Sequence, residues 1–122
     1  MSKHSFSNAT ASDNTATGYQ ALSNNTASYN TATGSGALLK NKTGQANTAN
    51  GFNALASNTS GHDNTADGKE ALFFNTTGYN NTASGEQALF NNRLGHRNTA
   101  TGVQALVGNT SGFGILSPVT KQ

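Results

Sequence analysis

The sequence contains no cysteine and no tryptophan, and only one proline and one methionine. Without cysteine neither a disulfide framework nor a thiolate metal site can form, although this does not choose between the inside and the outside of a cell. Charge is scarce as well. Only 10% of the 122 residues are Asp, Glu, Lys or Arg, and the formal net charge is +2. So small a charge, carried by scattered Lys and Arg, does not point to nucleic acid, and none is expected as a partner. No window approaches a membrane span, and the opening Met1-Ser2-Lys3-His4-Ser5-Phe6 has no apolar stretch behind its basic residue, so neither a span nor a secretory signal is expected. Core builders are few: 33% of residues are hydrophobic, with alanine the largest part, and 7% are aromatic. Too little apolar area normally leaves chain entropy unopposed. Disordered chains of that kind are usually rich in charge, however, and this one is rich in Asn, Thr, Ala and Gly. That mixture fits a regular array, in which backbone hydrogen bonds and stacked small side chains replace a large oily core.

The array is visible as an internal repeat. Asn-Thr-Ala begins at Asn14, Asn30, Asn47, Asn64, Asn81 and Asn98, a spacing of 16 once and then of 17. Ala-Leu follows at a fixed offset, with its leucines at Leu22, Leu38, Leu55, Leu72, Leu89 and Leu106. Between the two motifs lies a glycine in every copy: Gly18, Gly34, Gly51, Gly68, Gly85 and Gly102. The consensus is Asn-Thr-Ala-x-Gly-x-x-Ala-Leu-x-x-Asn-Thr-Thr-Gly-x-x. The short first copy implies one deletion, placed near Ser28-Tyr29. Upstream, Asn8 and Phe6 fall in register; downstream, Ile115-Leu116-Ser117-Pro118 breaks it. The expected organisation is therefore a lead-in over 1–7, a repeat domain over 8–114 and a cap or connector over 115–122.

Two glycines per copy and runs of Asn and Thr are unfavourable inside helices. Gly, and to a lesser degree Asn, tolerates the positive φ of tight corners. The expected fold is all-β: a β-solenoid of about six 17-residue coils, each with two short strands and two Gly-marked corners. Stacking at ~4.8 Å gives a body of roughly 30 Å and places asparagine over asparagine, amide to amide. Alternation in the first strand turns Thr outward and Asn and Ala inward. Alternation in the second sends Ala and Leu to opposite faces, which predicts an apolar ridge that a second copy of the chain covers; the competing arrangement is a bend at Leu that turns both residues inward.

Segments such as Asn64-Thr65-Ala66-Asp67-Gly68-Lys69-Glu70-Ala71-Leu72, followed by Asn75-Thr76-Thr77-Gly78, resemble the repeats of trimeric autotransporter adhesin heads and of phage tail fibres. The resemblance covers about residues 8 to 114. It implies a β-roll, a parallel homotrimer around a threefold axis, and a role in attachment or as a spacer, with a surface glycan or protein as receptor. It also implies a location outside the cell, on a cell surface or on a virion.

Chemistry is thinly represented. The five acids, Asp13, Asp63, Asp67, Glu70 and Glu86, occupy variable positions of different coils, so no catalytic cluster and no enzyme activity are expected. The glycines follow the corner period and precede no helix, which excludes a phosphate loop; no cofactor is expected. His62 and His96 share a column with Tyr79 between them, about 10 Å apart, too far for one metal within a chain. Tyr19, Phe52, His62, Tyr79 and His96 are candidate surface-binding residues. Two other readings compete with a fibre segment. One is ice binding through the column Thr15, Thr31, Thr48, Thr65, Thr82 and Thr99, whose companion column carries Asp67. The other is a lectin with shallow sites among Tyr19, Ser35, Phe52, Lys69, Glu86 and Val103.

Overall fold

The computed structural model of the chain describes residues 11–117. The lead-in over 1–7, the upstream register of Phe6 and Asn8, and residues 118–122 lie outside that range. The described chain is a single-sheet β-solenoid. Its strands are β1 (Thr15–Thr17), β2 (Thr31–Thr33), β3 (Thr48–Asn50), β4 (Thr65–Asp67), β5 (Thr82–Ser84), β6 (Thr99–Thr101) and β7 (Leu116–Ser117). They form one seven-stranded sheet in chain order, and every neighbouring pair is parallel. The register is strict: Thr15 pairs with Thr31, Thr31 with Thr48, Thr48 with Thr65, Thr65 with Thr82 and Thr82 with Thr99. Leu116 then pairs with Thr99. Residues 115–117 therefore do not break the pattern but add a seventh rung to it.

Each coil contributes one strand, not the two that alternation suggested. The segment around Ala-Leu is a turn. Its leucines sit at φ near +53°, in the left-handed region: Leu22 at 54°, Leu55, Leu72, Leu89 and Leu106 at 53°. A left-handed residue within the run breaks the alternation of side-chain direction. Both members of the pair then point inward, and Ala71, Leu72, Ala88 and Leu89 are all 0% exposed within a single chain. The leucine column is thus the solenoid's own core and forms no ridge for a partner to cover. Such a conformation costs a leucine about 1–2 kcal/mol. Burying the side chain returns a comparable or larger amount, about 1.5–3 kcal/mol. The rung bond is kept as well, for Leu72 N–H donates to the Ala88 carbonyl at 3.0 Å and Leu55 N–H to the Ala71 carbonyl at 3.0 Å.

The core is narrow. Alanines of the strands (Ala32, Ala49, Ala66, Ala83, Ala100), alanines of the turns and one leucine per coil make one continuous cluster. Two asparagine columns close it on the polar side. In the column of Asn14, Asn30, Asn47, Asn64, Asn81 and Asn98, each Oδ1 accepts from the next coil's backbone N–H at 2.8–3.0 Å. Ile115 N–H completes that series on Asn98. In the column of Asn25, Asn41, Asn58, Asn75, Asn92 and Asn109, each Nδ2 from Asn41 onward donates to the Oδ1 one coil earlier, at 2.7–2.9 Å. Both columns converge on one glycine carbonyl in the coils of Gly44, Gly61, Gly78 and Gly95; Gly78 O, for example, accepts from Asn64 and from Asn75.

The short first coil also finds its place. Asn25 Nδ2 donates to the Ala27 carbonyl, the part played three residues downstream of Asn41, Asn58 and Asn75 by Gly44, Gly61 and Gly78. The missing residue therefore lies between Thr26 and Ala27, not at Ser28-Tyr29. Tyr29 stays in register, its N–H donating to Ser12 O as Asp63 N–H does to Gln45 O.

Candidate functional site

Because the interior is filled, any function lies on the outer columns. The first is the strand face. Thr15, Thr31, Thr48, Thr65, Thr82 and Thr99 turn outward while the alanines between the outward positions turn inward. The second outward column reads Thr17, Thr33, Asn50, Asp67, Ser84 and Thr101. Together they make a two-column lattice of hydroxyls and methyls, spaced by about 4.8 Å along the stack and about 6.6 Å across it. Asp67 places a carboxylate inside it.

The second feature is a ladder of rings. His62, Tyr79, His96 and Phe113 occupy one column, and their rings stack at 5.1, 4.7 and 5.1 Å with interplanar angles of 9°, 2° and 6°. This brings together three of the candidate binding residues and joins Phe113 to them. It also removes the simplest use for two of them. Both faces of Tyr79 are covered by histidines, and both faces of His96 by Tyr79 and Phe113, so neither offers a ring face for a sugar to stack on. The column's open faces are at its ends, on His62 and on Phe113, which is 68% exposed. His62 Nδ1 meets Asp63 Oδ2 at 2.8 Å across a shallow surface hollow lined by Thr43, Gln45, Ala46, Ser60, His62 and Asp63. His96 Nδ1 is buried without a hydrogen-bond partner. Among the described residues no three His, Cys, Asp or Glu side chains are grouped to hold a metal.

Tyr19 and Phe52 share a second column two coils apart, with Ser35 between them, and are 53% and 49% exposed. Lys69, Glu86 and Val103 continue that column. The candidate aromatic residues thus fall into two columns, one fully stacked and one interrupted.

A third aromatic group is one that sequence reasoning does not single out. Phe73 and Phe90 stack at 5.3 Å and 9°, and Phe74 meets both edge-on at 4.7 and 5.2 Å. The Arg93 guanidinium lies 4.9 Å from the centroid of Phe74. The available signal is the adjacent Phe73-Phe74, one coil before Phe90, but the arginine joins them only through the fold. All three phenylalanines are half-buried, and Leu94 beside Arg93 is 57% exposed.

No helix among the described residues is long and apolar enough to cross a membrane. Comparison with protein-family models, with curated proteins and with solved structures finds no match.

Proposed function

We propose that the chain is a structural segment of a surface fibre, outside the cell or on a virion, that serves attachment or spaces a binding tip. The observation that supports this best is the strict one-coil register of the sheet through all its strands. Length is set by the number of coils, at about 4.8 Å each, while the surface columns vary freely around an invariant interior. Stacking neighbour on neighbour suits a rod that carries load along its axis. A trimeric arrangement belongs to the same proposal and rests on the resemblance of the repeats, not on the leucines, which the single chain buries. Its receptor would be a glycan or a protein on the attached surface. The proposal holds if the purified chain binds cells or a glycan array in a saturable manner, or lengthens a host fibre by one rise per inserted coil. A chain that does neither contradicts it.

A second reading draws on the strand face. Six threonines in one outward column, each paired in register with the next, present the repeating hydroxyl and methyl rows that an ice plane would match. Thermal hysteresis with faceted crystals, abolished by Thr65→Lys, supports ice binding; an unchanged freezing point and round crystals remove it.

A further inference from the structure

The charges are unevenly distributed around the coil. On the turn side run the columns from Ser23, Leu39, Ala56, Phe73, Phe90 and Val107 to Thr43, Ser60, Thr77, Leu94 and Ser111. They carry Lys40, Lys42 and Arg93 and, among the described residues, no Asp or Glu. The sector around the strand and the first corner holds Asp67, Glu70 and Glu86 against Lys69. The two sectors also share a height along the axis. Phe73 and Phe74 lie in the coil of residues 64–80 with Asp67 and Glu70, while Phe90 and Arg93 lie in the coil of residues 81–97 with Glu86.

We infer that the Phe73, Phe74, Phe90 and Arg93 cluster docks a second copy of this chain, side by side and parallel, on that copy's Asp67, Glu70 and Glu86 sector. Clustered aromatics joined to an arginine are the composition of interface anchors, and the exposed Leu94 beside Arg93 extends the apolar part of this cluster. Charge of opposite sign at the same height fixes the two copies against sliding along the axis, and their parallel sense is that of the fibre proposal. The contact joins unlike faces, so each copy offers one face and accepts on the other, and the assembly closes into a ring or continues as a filament. This deepens the fibre proposal and rests on its assembled state.

The test is light scattering coupled to size exclusion on the whole chain, with circular dichroism to confirm that each variant keeps its fold. The unaltered chain elutes at a multiple of 12.5 kDa. Arg93→Glu alone, and Asp67→Lys with Glu86→Lys together, each reduce the mass to one chain. Mixing the two variants in equal amounts raises it again, because each supplies the charge the other has lost. A multimer whose mass ignores both variants overturns the contact and leaves the assembled fibre standing. A single-chain mass for the unaltered protein overturns both. An unaltered monomer that instead binds heparin through Arg93 assigns the cluster to an anionic polymer and overturns the self-contact.

Discussion

The Asn75 amide donates to Asn58 Oδ1 and to the Gly78 carbonyl, and its own oxygen accepts from Asn92. Asn75→Ala leaves Asn58 Oδ1 buried without a donor, at about 1–3 kcal/mol. The Gly78 carbonyl keeps Asn64 and the Asn92 amide keeps the Gly95 carbonyl, so those two sites lose one bond each, at about 0.5–1.5 kcal/mol. The expected loss is about 2–6 kcal/mol by denaturant titration. Asn91→Ala, which removes one bond to the Val107 carbonyl from a half-buried site, should cost about 0.5–1.5 kcal/mol. Leu72 carries the apolar counterpart: Leu72→Ala should lose about 2–5 kcal/mol. Lys69→Asp on the exposed corner should stay within about 0.5 kcal/mol. Equal losses for Leu72→Ala and Lys69→Asp would contradict a leucine core. The inward asparagines of the strand were legible because alternation holds there. The inward leucines were not, because nothing in the letters Ala-Leu announces a left-handed φ at a bulky residue.

At the scale of the element, the strand is three residues long and ends at a glycine corner. A Cβ on Gly68, at φ +140°, would lie 2.6 Å from the carbonyl oxygen of Gly85 in the next coil. The corner glycines are therefore required by conformation and by the closeness of the stack. Gly68→Ala should lower the melting temperature sharply, whereas Gly108→Ala, with nothing within 4 Å of its Cβ, should leave it unchanged. Similar shifts for both would show that the corners are not packed as described. The repeat makes this corner readable from the sequence. The turn side is harder to read, since its Ala-Leu-apolar run has a strand's composition and suggests a second strand. Its backbone instead turns at Gln87 and at Leu89, with φ of 59° and 53°.

For the molecule as a whole, one interior runs unbroken from Ala21 to Leu106, and no coil is complete without the next. The fold class and period were legible because every interior position repeats. The surface sites were less so: a column can be read from the period, but ring orientation, and the meeting of Arg93 with Phe74, depends on how the turn folds. Stability should track the number of coils and their register, not the number of residues. The most direct test compares two deletions by thermal unfolding. Removing residues 47–63, one full 17-residue coil, rejoins the stack in register, whereas removing only 47–55 sets every later residue against the wrong neighbour. The account predicts a cooperative, modestly lowered transition for the longer deletion and loss of the folded state for the shorter one. A nine-residue deletion that folds as well as the seventeen-residue one would contradict it.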